Sequence, residues 1–349
     1  MLKVAFVGMG RNPGTFKPEY TYNFVRYHLE LPFYYQKFSN SSVTLTFPSD
    51  PKDYLEDKED CEKLFLCSES EFISLQEKFD VVIHWRKWFE HLYRPEAINV
   101  ILSQDHSYGQ EWKQTVITAY KLKKLTGILV FPEWHKKNTL NELNGELSPF
   151  HLFDGMTLGV DTDIFYPERR DPHQLLWASD PGRGLDQLIP IFLQLRQKGP
   201  YELNITWPDY VKKEDLVKYS GFFKMPGVNV IGQIPNDEKL WKLFRDCGIL
   251  PYTSTFPEPS SRCHRQAMAC GSLVLYPPNM GTPSDLLKIF NTGIVENPIT
   301  WASTIDRSVR NGSWYNIGNH AARDAKLENW EIQAKKFESW AKGLLNDKH

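Results

Sequence analysis

The stretch FPEPSSRCHRQAMACGSLVLYPP, Phe256 to Pro278, lies between the apolar run CGILPYTS and an apolar run of its own, SLVLY. Short runs rich in Val, Ile and Leu and bounded by Gly or Pro read as buried strands, and QAMACG reads as the end of a helix between them. The unit is therefore strand, polar loop, helix, strand. Its loop carries Glu258 between two prolines, then Ser260 and Ser261, then a basic cluster of Arg262, His264 and Arg265. That is more hydrogen-bonding capacity than a turn requires.

The same alternation extends in both directions. LKVAFVG, VTLTF, FDVVIHW, INVILS and TGILVF read as strands of a first half, and QLLWAS, YELNITW, VNVIG, CGILPY, SLVLY and TGIV as strands of a second. Strands alternating with helical patterns predict parallel sheets, so each half is expected to be a doubly wound α/β domain. The 349 residues suit two domains. Periodicity lapses at GMTLGVDTDIFYPERRDPH, which places a first domain at 1–157 and a second at 158–320. A last helix, expected over Ala321 to Leu345, carries a stripe of Leu327, Trp330, Ala334, Phe337, Ala341 and Leu344. Residues 321–349 are expected to pack back toward the N-terminal domain. Open sheets of this kind bind ligands beyond the carboxyl ends of their strands, so a small molecule between facing strand ends is expected.

Composition removes several function classes. Hydrophobic residues make up 41%, charged residues 24%, and the net charge is −2, which gives no basis for a nucleic-acid partner. The five cysteines form no CxxC pair, and the start MLKVAFVGMG lacks the layout of a signal peptide, so a reducing cytoplasm is expected. No apolar run approaches the roughly 18 residues that span a bilayer, leaving only peripheral membrane contact. The ten histidines show no zinc spacing. The glycine turn GMGRNPG resembles a dinucleotide fingerprint but fails it: three residues separate Gly10 from Gly14, and Pro13 removes an amide donor. Gly8, Gly10 and Gly14 then form either a tight structural turn or a ligand-facing loop.

In WASDPGRGLDQLIPIF, Arg183 sits between Gly182 and Gly184 at a helix start. Its guanidinium and the helix dipole would attract phosphate, the alternative being an exposed surface arginine. Ser260 or Ser261 is the expected N-cap of the helix in the opening stretch, and the first-turn amides near Ser261, Arg262 and Cys263 would form an anion site. Arg262 and Gln266 share one helix face, and Cys263, Ala267 and Cys270 form a small apolar one. Glu258 could accept hydrogen bonds from sugar hydroxyls, and Gln266 could bond a ribose diol. The alternative is a capped helix bearing surface charges.

From GVDTDIFYP through SDPGRGLDQLIPIF and the opening stretch to GTPSDLL, the sequence resembles the GT-B retaining glycosyltransferases of the large family 4 type. The resemblance implies two Rossmann-like domains, an acceptor side in the first and a nucleotide-sugar site in the second. It implies sugar transfer from a nucleotide-diphosphate sugar to an acceptor hydroxyl of a glycan, lipid or small molecule, without cofactor or metal. The DTD triplet, Asp161 to Asp163, falls in the linker and is not read as a metal site. Glu258 matches the first glutamate of the family's E-x7-E motif, and Gln266 stands where the second is expected. Arg183 matches a phosphate-binding lysine, whereas Ser179-Asp180 replaces a further basic residue for which Arg262 would compensate. His106, in VILSQDHSYG, resembles the histidine near the donor sugar, with His84 as a rival at another strand end. The departures leave open a non-catalytic sugar-nucleotide binder or an epimerase of the same fold.

Overall fold

Along β1 (Leu2–Val7) every second side chain enters a different core. Val4 and Phe6 pack on one face of the sheet and Ala5 and Val7 on the other, the period-two alternation of a strand covered on both sides. The computed structural model describes residues 1–9, 31–51, 64–105, 109–131, 133–154, 157–208, 211–234, 237–254, 256–278, 281, 293–295 and 297–347.

The chain divides into two compact units, Met1–Gly159 with Trp330–His349, and Val160–Asn329. In the first, β1 is joined by β2 (Ser41–Phe47), β3 (Phe65–Ser68), β4 (Val81–Trp85), β5 (Ile98–Leu102), β6 (Gly127–Val130) and β7 (Leu152–Asp154). Their order is β3-β2-β1-β4-β5-β6-β7 and every pairing is parallel. The second unit contains β8 (Asp171–Ala178), β9 (Glu202–Thr206), β10 (Val228–Gly232), β11 (Cys247–Pro251), β12 (Leu273–Tyr276) and β13 (Gly293–Val295). Their order is β10-β9-β8-β11-β12-β13, again all parallel. Counted from the first strand of each unit, both contain the order 3-2-1-4-5-6, the doubly wound arrangement with its switch point between strands 1 and 4.

Two edge strands are additions to the sequence reading. FLCS and LFD are too short to show a period, and Phe65 at the sheet edge is 53% exposed.

The C-terminal helix also differs from expectation. It is two helices, α3 (Ser313–Ala325) and α4 (Trp330–Asp347), separated by a 3-10 turn and an extended Asn329. Leu327 continues the apolar spacing by coincidence: it lies on the turn and is 59% exposed. The unit boundary follows this break at Asn329, rather than residue 320, and the other falls at Gly159 rather than 157. From α4, Trp330, Ala334, Phe337 and Ala341 enter the core of the first unit beside Val4 and Phe6. Phe337 stacks 6.4 Å from Phe6, Trp330 5.0 Å from Tyr34, and the Thr157 amide donates to Gln333 Oε1 at 3.0 Å.

Candidate functional site

The switch point of the second unit lies where β8 and β11 end side by side. Ser179 and Asp180 follow β8 and lead through a 3-10 turn, Pro181–Arg183, into α1 (Leu185–Lys198). Asp180 shapes that turn, accepting the Gly182 amide at Oδ1 (2.8 Å) and the Arg183 amide at its carbonyl (3.0 Å). Gly184 has φ of +124°, and a Cβ there would lie 2.7 Å from the Thr253 carbonyl oxygen, so only glycine fits. Thr253 Oγ1 donates back to the Gly184 carbonyl at 2.7 Å. The two loops are thereby fastened together.

Their fastening brings the candidate charges into contact. Arg183 Nη1 donates to Glu258 Oε1 at 2.5 Å, and the guanidinium lies 4.4 Å from the Phe256 ring centroid. Tyr252 Oη also donates to Glu258 Oε1, at 3.3 Å, and is itself 3.0 Å from Ser179 Oγ. Burial holds the Tyr252 phenol well above its ordinary pKa, with the Cys263 thiol and the Glu258 carboxylate adding to the effect, so it remains a proton donor.

The basic cluster of the opening stretch is not a surface patch. Helix α2 (Arg262–Ala269) begins after Ser261 as its N-cap residue, but the Ser261 hydroxyl does not cap the helix; it pairs with His264 Nδ1. His264 is buried, and that burial lowers its pKa to about 3, so it is neutral. Arg265 is 2% exposed, with Nη1 donating to the Ser261 carbonyl at 3.1 Å and lying 3.4 Å from Ser260 Oγ. Both side chains turn inward because α2 covers the sheet over positions 264, 265, 267 and 268. Arg262 and Gln266 occupy the half-buried face, while Ala267 and Cys270 are buried. Cys263 Sγ lies 3.4 Å from Ser261 Oγ, and burial pushes this thiol up to about 12, an inert thiol rather than a nucleophile.

In the first unit the Gly8 and Met9 amides are committed to Thr46, at Oγ1 (3.0 Å) and at the carbonyl (3.1 Å). Gly10, Gly14 and His106 lie outside the described residues. His84 is a core histidine: Nδ1 accepts the Phe89 amide and Nε2 pairs with Asn99 Oδ1, both at 3.3 Å. Burial lowers its pKa to about 3. Asp161 accepts the Asp163 amide at Oδ1 (3.0 Å) as part of a turn. Among the described residues no group of three His, Cys, Asp or Glu side chains is placed to hold a metal ion, and no helix is long and apolar enough to cross a membrane.

Sequence reasoning missed Tyr252, Ser179 and Phe256. Strand-end position was the only signal for the first two, since 73 residues separate them.

Two Rossmann-like doubly wound units in one chain, with charged groups gathered at a switch point of the second, make this a two-domain α/β protein, and the solved structures it superposes on identify the fold as GT-B. No protein-family model matches the sequence, and none of the curated proteins is recognisably similar to it. Solved structures are. A glycosyltransferase from Rickettsia africae superposes with a TM-score of 0.75 at 13% identity, over 99% of this chain and 98% of that one. HepE of Anabaena, in complex with UDP and glucose, gives 0.71 at 13% identity over 98% and 100%. AviGT4, a glycosyltransferase involved in avilamycin A biosynthesis, gives 0.69 at 13% identity over 99% of each chain.

Proposed function

We propose that this chain is a retaining glycosyltransferase, similar to family 4, that moves a sugar from a nucleotide-diphosphate sugar to an acceptor hydroxyl. The observation that carries this reading is the meeting of Arg183 and Glu258 at the switch point of the second unit. A nucleotide sugar needs both a cation for its diphosphate and an acceptor for its hydroxyls. The resemblance to E-x7-E, with Glu258 in the first position and Gln266 in the second, supports the same assignment, and HepE, a structure of the same fold, has been solved with UDP-glucose.

The chemistry follows from the charges. As the glycosidic bond breaks, negative charge grows on the departing diphosphate; the oriented first-turn amides of α2 and the Arg183 guanidinium would stabilise it. Ser260, Ser261, Arg262, Cys263, Gly182 and Gly184 would line the diphosphate, Glu258 would hold the sugar hydroxyls, and Gln266 the ribose. The leaving phosphate would take the acceptor's proton on the same face, giving retention without a protein nucleophile. Metal and cofactor are assigned no part, the acceptor is assigned to the first unit, and the setting is assigned to the cytoplasm.

A thermal-shift screen of UDP, GDP, ADP and their sugars tests the reading, because a ligand that binds only the folded state raises its stability. A shift with one nucleotide family, followed by slow release of its nucleotide from the sugar donor, is expected. Binding with no turnover across donors and acceptors would favour a non-catalytic binder, a reading that the neutral Gln266 keeps in play. Conversion of the sugar nucleotide without acceptor would favour an epimerase.

A further inference from the structure

We infer that Tyr252, with Ser179 behind it, is a positioning residue that sets the Glu258 carboxylate for the donor sugar; this rests on the reading of the site as a nucleotide-sugar site. Three observations carry it. The Tyr252 hydroxyl stands between Ser179 Oγ, at 3.0 Å, and Glu258 Oε1, at 3.3 Å. A carboxylate only accepts, so the phenol proton points to Glu258 and the Ser179 hydroxyl donates to the phenol oxygen, which gives the relay one direction. The ring cannot swing away: it stacks on Trp177 at 5.5 Å, meets the His264 ring edge-on at 4.6 Å, and its backbone amide is held by the Leu275 carbonyl at 2.9 Å. Ser179 is held in turn, because its carbonyl accepts Trp177 Nε1 at 3.0 Å.

The consequence is a fixed carboxylate. Arg183 and Tyr252 converge on the same oxygen, Oε1, from the two loops that follow β8 and β11. Arg183 is assigned to the diphosphate, so its grip on Glu258 must change when donor binds, whereas the Tyr252 bond can persist through that exchange.

The test is a double-mutant cycle with Tyr252→Phe and Glu258→Ala, read by calorimetric binding of whichever of UDP-glucose, GDP-mannose and ADP-glucose most stabilises the wild-type protein. Phenylalanine keeps the stacked ring and removes only the hydroxyl. Tyr252→Phe should weaken donor-sugar binding by about three- to tenfold while leaving affinity for the corresponding nucleoside diphosphate unchanged. In the Glu258→Ala background it should have no effect. Ser179→Ala should follow the same pattern with a smaller loss. Equal losses in both backgrounds, or equal losses for donor and diphosphate, would overturn the relay alone. Failure of the wild-type protein to bind any of the three donors would instead overturn the nucleotide-sugar reading, and the relay with it.

Discussion

Arg183 Nη1 and Glu258 Oε1 meet at 2.5 Å across 75 positions of sequence, and the two ends of the pair are unequally shielded: 30% of the arginine side chain is exposed against 10% of the glutamate. The arginine can exchange Glu258 for water or an incoming anion, while the carboxylate depends on donors supplied by the protein. The pair is therefore a poor source of stability and a good source of geometry, since partly exposed pairs are worth about 0–1 kcal/mol.

That inequality makes the two alanine variants different. Arg183→Ala leaves a shielded carboxylate short of a donor and should cost on the order of 1–3 kcal/mol. Glu258→Ala releases an arginine that solvent can reach and should cost under about 1 kcal/mol. Both should lower turnover by about 10²- to 10³-fold, the usual effect of removing a group that stabilises developing charge or holds the reacting sugar. Urea denaturation and steady-state rates check the two halves. Wild-type activity in both variants would remove these residues from the site.

The buried histidines set the acid response. His84 and His264 have folded pKa values near 3, below the ordinary 6.5 that each regains on unfolding. The unfolded chain therefore binds more protons between those limits. Their neutral burial carries no cost above about pH 6.5, and stability falls as pH drops from there toward 3, by up to about 1.4 kcal/mol per pH unit for each histidine. Hydrogen exchange at pH 7.5, 6 and 5 should show both units losing protection. His84→Gln should flatten the slope in the first unit only, because His264 belongs to the second. An unchanged slope would mean that other groups dominate acid unfolding.

Much of this was legible before the structure. Strands β4, β5, β6, β11 and β12 are largely apolar runs buried along their whole length, and a continuous apolar run reports such burial directly. Arg183 and Glu258 were legible because glycine and proline fix their loops at strand ends. The rest depends on direction. Arg262, His264 and Arg265 read as one basic cluster, yet the helix turns two of the three inward, where His264 is neutral and Arg265 bonds its own N-cap carbonyl. Leu327 extends an apolar stripe by spacing alone, and a turn places it in solvent. Tyr252 and Ser179 meet only because β8 and β11 are neighbours, a fact of topology.

Gly318 sets helix propensity against packing. It lies within α3, where alanine would ordinarily gain about 0.5–1 kcal/mol. A Cβ at Gly318, however, would lie 1.8 Å from the Gly271 carbonyl oxygen and 2.9 Å from Arg170 Nη1, which itself donates to that carbonyl. The first contact is with backbone and cannot be relieved by a rotamer change. Overpacking of this kind costs about 1–3 kcal/mol or more, so Gly318→Ala should be destabilising overall. Its thermal midpoint should fall; a rise would show that α3 and the Gly271 turn separate easily.

Gln266 places a neutral side chain one helical turn beyond Arg262. Gln266→Glu adds a charged acceptor for a ribose diol, and a hydrogen bond to a charged group contributes about 1 kcal/mol more than a neutral one. The opposing effect is repulsion from a diphosphate at the start of α2. Four residues along a helix is about 6 Å, and unit charges at that distance in water repel by about 0.7 kcal/mol. The hydrogen bond wins by about 0.3 kcal/mol, so affinity for UDP, GDP or ADP should rise by less than about twofold. Ribose specificity is the decisive reading: the gain should vanish for the 2′,3′-dideoxy nucleotides, which lack the diol but keep the diphosphate, and with only repulsion left those ligands should bind more weakly than to the wild type. Calorimetric titration of both series measures this. An equal gain for the dideoxy ligands would show that the new carboxylate acts elsewhere, through Arg262 on its own helix face.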